Sequence, residues 1–358
     1  MSATEVVPAW KKALEEFGVF PETSELLSGS QRYLENATFG AHSKDRMYGA
    51  LPYFGRREEI AANINKELAI LSKHYDPKEE LAWRSKIYAE GAVLFEMKFG
   101  RKLSEFAEEI LAHYPDLHKE GRVISVFGLS GSGKSIAIEA YREHLNSQAN
   151  TVVMIDSDTV RYNLFAKMVK EAELSALDPN DTQGREAKGE EVKQLIHNRI
   201  SGSLYFLLNH VSHELKNRGY TVFMSSTQPS PGADETIYVE HPDGIDVKNI
   251  PDNQEEAPKA LAHVAKELHS RTEQRVSGKD NYDWDKAETI TDFNVMHSVT
   301  VQVPEDIHMR LAAKVAEFLN GDTNNRIKIL HNPVTTDVAT RNKNFADQLD
   351  KILSESSE

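Results

Sequence analysis

The chain reads as an α/β protein, a parallel sheet flanked by helices and preceded by an all-helical N-terminal domain. Three observations predict this. Apolar residues recur at helical spacing through the first 119 residues. From Arg122 onward, apolar runs of strand length alternate with helical stretches, the mark of parallel strands joined by crossover helices. At the switch stands Gly128-Leu-Ser-Gly-Ser-Gly-Lys-Ser135, a complete GxxxxGK[ST] loop between the strand-like Arg122–Phe127 and the helix-like Ile136–Leu145.

In the N-terminal region Ile60, Ile64, Leu68 and Leu71 share one helical face. Pro77 opens the next helix, where its missing N–H costs nothing, and that helix runs through Leu81, Trp83, Ile87 and Leu94 toward Phe99, with Gly100 as a stop. A third starts at Ser104, carries Phe106, Ile110 and Leu111, and is halted by Pro115. These residues read as core. The domain boundary is placed at 119/120, with 1–119 a helical cap or regulatory unit and 120–358 the sheet domain. Strands are expected at 122–127, 151–155, 220–225, 298–303 and 326–330. Helices are expected at about 186–217, interruptible at Gly202, and at 254–275, 304–319 and 340–354. A long insertion, 226–297, separates the third and fourth strands. Within it Thr236–Glu240 reads as one arm of a β-hairpin, turning at Pro242-Asp-Gly244 into Ile245-Asp-Val247.

A length of 358 residues suits two units. With 27% charged residues and no run of about 18 apolar ones, the chain is expected to be soluble and to have no membrane partner. Met1–Pro8 lacks the basic and apolar regions of a signal peptide, so a cytoplasmic location is the expectation. The absence of cysteine excludes disulfides, thiolate metal sites and cysteine nucleophiles. Fifty-six acidic against 42 basic residues give a net charge of −14 with no basic stripe. That argues against a nucleic-acid partner and leaves a small anionic substrate open. The fourteen histidines show no HExxH motif, and no zinc site is expected.

The loop carries the chemistry. Gly128, Gly131 and Gly133 let the backbone curl so that successive N–H groups, those of Ser130 and Ser132 among them, face the β- and γ-phosphates of a nucleotide. Lys134 adds positive charge there, and Ser135 offers a hydroxyl to Mg²⁺. ATP and Mg²⁺ are the implied cofactors. The second strand ends in Ile155-Asp156-Ser157-Asp158-Thr159-Val160-Arg161, and residues just past strand ends face the ligand crevice of such a sheet. Asp156 is assigned to the metal and Asp158 to the base that accepts a proton from the attacking hydroxyl. Asp158 also suits an N-cap, and the two roles are compatible. Ser225-Ser226-Thr227 follows the third strand, either lining an acceptor pocket or satisfying a turn before the prolines. His331-Asn-Pro333 reads as a plain loop, near where this class of fold often holds adenine.

Neither the Asn/Thr-Lys-x-Asp segment of a GTPase nor the late Walker B acid of a motor ATPase is found in a suitable place. The early acid instead suits a small-molecule kinase, a phosphotransferase with an alcohol acceptor. The competing reading is a non-catalytic or regulatory ATP-binding module whose helical N-terminal domain is the functional surface.

P-loop, strand and Ile155-Asp-x-Asp-Thr159 together resemble the zeta-toxin family of P-loop kinases. So do Leu215-Lys-Asn-Arg-Gly-Tyr-Thr-Val222 and Val301-Gln-Val-Pro304, over roughly 120–335 in all. The resemblance implies phosphorylation of a UDP-N-acetylglucosamine-type sugar, with Asp158 as base and Lys134 gripping phosphate. It also implies basic lid residues, for which Arg310 with Lys314, or Arg271 with Arg275, are the candidates. Because some zeta toxins are restrained by a helical antitoxin, residues 1–119 are a candidate for that part in cis. The family's acidic residue after the third strand is missing here, where Ser225-Ser-Thr-Gln-Pro stands. The loop and Asp156-Ser-Asp-Thr-Val-Arg161 also resemble adenylylsulfate kinase, with Arg161 at its arginine position. The arginine-rich substrate segment that should follow is absent.

Overall fold

A computed structural model describes residues 70, 95, 102–145, 150–156, 160, 177–195, 201–230, 232–242, 247, 250, 256–277, 305–322, 326–332 and 337–355. The described elements run, in chain order, α1 (Leu103–Ala112), β1 (Arg122–Phe127), α2 (Lys134–His144), β2 (Val152–Asp156), α3 (Thr182–Leu195), α4 (Ser201–Asn217), β3 (Thr221–Ser226), β4 (Glu235–Val239), α5 (Ala257–Ser277), α6 (Glu305–Gly321), β5 (Ile327–Leu330) and α7 (Val338–Glu355). By contacts the chain divides into two compact units. One comprises Met1–Tyr114, Arg161–Val211 and Thr289–Thr291, and the other Pro115–Val160, Ser212–Glu288 and Asp292–Glu358.

In the first unit, α1 buries Leu103, Phe106, Ala107, Ile110 and Leu111, the stripe expected of its helical spacing. Phe106 stacks on Phe95 with ring centroids 5.8 Å apart. The Glu105 carboxylate accepts the Lys102 N–H (3.0 Å), which places the helix start just ahead of Ser104. The helices expected through Ile60–Leu71 and Leu81–Phe99 otherwise lie outside the described residues. The expected 186–217 stretch is two helices, α3 and α4, with 196–200 outside the description between them. Gly202 sits inside the first turn of α4 and does not interrupt it.

The second unit is built on five parallel strands in the order β2-β3-β1-β4-β5. All described pairings are parallel, β1 lying between β3 (Val126↔Ser225) and β4 (Phe127↔Tyr238). Parallel strands covered on both faces read as continuous apolar runs, and Val123–Phe127 is buried throughout. Alternate residues feed two cores. On one face Ile124, Val126, Met154, Phe223, Ile237 and Val239 pack with Ala137, Ile138 and Tyr141 of α2 and with Phe345, Leu349 and Leu353 of α7. On the other, Phe127, Leu129 and Tyr238 pack with Val264 and Leu268 of α5 and with Ala312, Val315 and Ala316 of α6. Buried on both faces, the sheet belongs to the P-loop kinase-like α/β class expected above.

The expected hairpin is overturned. Residues 235–239 form β4, parallel to β1 on one side and to β5 (Val239↔Leu330) on the other. The alternation of Thr236–Glu240 suits either arrangement, and Pro242-Asp-Gly244 mimics a hairpin turn. The decisive fact is non-local: Ile237, Tyr238 and Val239 are all buried, which needs cover on both faces and a neighbour on each edge. The expected strand at 298–303 lies outside the described residues, and 235–239 takes the fourth place in the sheet. The remaining strands and helices α2, α5, α6 and α7 fall within three residues of their expected bounds.

Candidate active site

β1 has β3 on one side and β4 on the other, so the strand order reverses at its end, the place where open α/β sheets bind ligands. Residues 128–133 occupy that point and lead into α2. Gly128 has φ +154° and Gly133 φ +94°, conformations that side-chain-bearing residues rarely adopt. Space demands glycine as well. A β-carbon on Gly128 would lie 2.7 Å from the Val239 carbonyl oxygen, and one on Gly133 would lie 2.8 Å from Asn332 Nδ2. The curl is held by Ser132 N–H to Leu129 O (3.2 Å) and runs straight into the helix through Ala137 N–H to Gly133 O (2.9 Å).

No side chain caps α2, and its first turn holds no acidic residue. Its amide end is therefore left for an anion, favoured by the helix dipole. Lys134 Nζ donates to the carbonyls of Gly128 (3.0 Å) and Leu129 (2.9 Å), so the ammonium is tied across the loop it serves. Ser135 Oγ donates to Asp156 Oδ2 at 3.4 Å, joining the start of α2 to the end of β2. A hydroxyl beside a carboxylate is a hard oxygen pair. Among the described residues no three His, Cys, Asp or Glu side chains gather as a metal cage. A pair of this kind suits Mg²⁺, which takes one or two protein oxygens and completes its shell with phosphate and water. The residues present therefore fit a magnesium nucleotide.

Register brings Ser225 into line with Asp156 on one side and Val126 on the other. Its hydroxyl is buried with no hydrogen-bond partner among the described residues. Ser226 takes the turn role: its Oγ bonds the Gln228 carbonyl and accepts the Gln228 N–H (3.3 Å). Thr227 is half-buried beside it. The loop then returns along β1, where Ser230 N–H donates to Ser125 Oγ (2.7 Å).

Asp158 and Arg161 lie outside the described residues. Arg271 and Arg275 fall in the last part of α5, their side chains likewise outside the description. Arg310 and Lys314 are exposed on α6, whose other face, Ala312, Val315 and Ala316, packs on the sheet. Lys314 pairs with Glu317 at 2.7 Å.

The reading of 331–333 as a plain loop misses Asn332. Its Nδ2 donates to the Ser132 carbonyl at 2.6 Å, so the segment after β5 grips the phosphate loop. No local pattern marks a contact between residues 200 positions apart.

Comparison with known proteins bears on one stretch. Residues 120–176 match the family model of adenylylsulphate kinase. The matched model describes a family of P-loop kinases. It takes in β1, the phosphate loop, α2 and β2, the elements that bring Lys134, Ser135 and Asp156 together. No curated protein and no solved structure matches the chain, and the zeta-toxin resemblance finds no support in these comparisons. No described helix is long and apolar enough to cross a membrane.

Proposed function

We propose that the chain is an ATP-dependent phosphotransferase that moves the γ-phosphate of MgATP to a hydroxyl of a small molecule carrying a nucleotide. The observation that carries this reading is the juxtaposition of Lys134, Ser135 and Asp156 at the reversal of strand order, within the stretch matching a P-loop kinase family. The loop N–H groups and the α2 amide end hold the phosphates, and Lys134 neutralises charge that builds on the transferring group. Ser135 and Asp156 would hold Mg²⁺, which would supply positive charge to offset that of the phosphates. Asp158, two positions after Asp156 in the sequence, accepts the acceptor's hydroxyl proton. Arg161, Arg310 with Lys314, or Arg271 with Arg275 supply further positive charge, and Ser225 and Thr227 border the acceptor. Adenylylsulphate, after the matched family, and UDP-N-acetylglucosamine-type sugars lead the acceptor panel.

Incubation with γ-labelled MgATP and a panel of adenylylsulphate, nucleotide sugars and dinucleotides tests the reading. Label should move to one acceptor, and Lys134→Ala should abolish the transfer. Asp158→Asn should keep MgATP affinity while turnover falls by about 10²–10⁴-fold. Tight MgATP binding with no label leaving it across the panel would defeat the phosphotransferase reading. Full turnover in Asp158→Asn would remove that residue as base.

A further inference from the structure

We infer that Asn332 is a positioning residue for the nucleotide, holding the phosphate loop in its receptive curl, and that the C-terminal helix α7 braces it there through Gln348. This inference rests on the phosphate-loop reading above. The carboxamide Nδ2 donates to Ser132 O at 2.6 Å, and the same atom fills the space where Gly133 would carry a β-carbon. Only the NH₂ side of the amide can face a carbonyl, so chemistry sets the orientation. The Ser132 carbonyl belongs to the turn of backbone whose N–H groups must point at phosphate. Pinning the carbonyl on the outer side fixes the peptide plane and with it the direction of the next N–H, that of Gly133.

The grip is itself braced. Gln348 on α7 brackets the residue before Asn332, accepting the His331 N–H at its Oε1 (3.0 Å) and donating from Nε2 to the His331 carbonyl (3.0 Å). The His331 ring meets Glu240, just past β4, at 2.5 Å, and Glu240 N–H donates to Leu330 O (3.0 Å). The backbone leading into Asn332 is thus tied to α7 on one side and to the β4 end on the other. The β4 end also walls the loop directly, through Val239 O behind Gly128. Asn332 Oδ1 is buried and has no hydrogen-bond partner among the described residues. A carboxamide kept where half its polar capacity goes unused is better accounted for by the one bond it makes to the loop than by general packing.

Isothermal titration of MgATP into the full chain tests this, with wild type and Lys134→Ala as references. Asn332→Ala should raise Kd about tenfold, the worth of one buried hydrogen bond, at unchanged stoichiometry. Asn332→Asp, of the same shape, should weaken binding further, because it turns a carboxylate oxygen toward the Ser132 carbonyl and the phosphates. Gln348→Leu, which leaves the loop untouched, should weaken it about threefold and decides the matter if both Asn332 variants fail to fold. A merely structural role would lower the stoichiometry, as part of the sample unfolds, and leave Kd within twofold of wild type. That result would overturn the inference. If wild type itself fails to bind MgATP, or Lys134→Ala binds as tightly as wild type, the phosphate-loop reading falls instead.

Discussion

Gly128→Ala offers a quantitative check on the loop geometry. The added methyl would sit 2.7 Å from the Val239 carbonyl oxygen and 3.0 Å from Ser132 Oγ, at a φ of +154°. Ser132 can rotate its hydroxyl away. Val239 cannot easily retreat, because it lies at the end of β4, in register with Leu330 of β5. Backbone strain of this kind costs about 1–3 kcal/mol. Overpacking against a fixed neighbour adds about 1–3 kcal/mol. A combined penalty of about 4 kcal/mol corresponds to about a thousandfold in an equilibrium constant. It divides between two observables. If the loop keeps its curl, the protein loses stability; if the loop uncurls, the fold survives and MgATP affinity falls. Urea unfolding and MgATP titration on the same variant should together account for the whole penalty. Gly321→Ala is the control, since nothing lies within 4 Å of its added carbon at the end of α6. That change should stay within about 1 kcal/mol of wild type. If Gly128→Ala matched wild type in both measurements to within about 0.5 kcal/mol, the derived geometry of the loop would be wrong.

Two further outcomes concern pH. His308 on α6 is 3% exposed and meets the His269 ring edge-on at 6.1 Å. Burial first, and then the neighbouring His269, push its pKa below the usual 6.5, against a smaller opposing pull from Glu305. The unfolded chain therefore takes up this proton more readily, so the stability tied to neutral His308 is complete above about 6.5 and is lost as pH falls through the depressed value. Urea midpoints between pH 8 and 5 should fall less in His308→Phe than in wild type; equal losses would refute the assignment. Asp337 caps α7, accepting the Thr340 N–H at 3.1 Å and the Thr340 hydroxyl, and these bonds hold its carboxyl below 3.8. Its contribution is present above 3.8 and disappears as pH drops through the lower folded value. Asp337→Ala should lower the urea midpoint at pH 7 and flatten the acid limb, and an unchanged midpoint would rule out the cap.

Local chemistry made much of this molecule legible before its fold was known. The buried runs Val123–Phe127, polar only at Ser125, and Val152–Ile155 declare parallel strands because strands covered on both faces are apolar nearly throughout. The Gly-Lys-Ser segment declares a phosphate site because its steric and electrostatic demands are met within eight consecutive residues. Asp156 is legible as the acid that closes the second strand. The failures share a cause. Thr236–Glu240 looks the same as a hairpin arm or as a central strand, and only its partners tell the two apart. Asn332 carries no local mark at all, because its bond to Ser132 spans 200 positions. Ser226 could be read as pocket or turn until the backbone brought Gln228 within reach of its hydroxyl.

Helical stripes, apolar strands, the glycine-rich loop and the acid that closes β2 are each written in a few neighbouring residues, because their physics is local. Tertiary structure alone decided the strand order that puts the loop at the reversal point, the place of β4, and the brace from α7 through Asn332. Those depend on which distant surfaces bury one another and which carbonyl a side chain reaches. Such choices are settled by the energy of the assembled core, to which every strand contributes and which no single segment encodes.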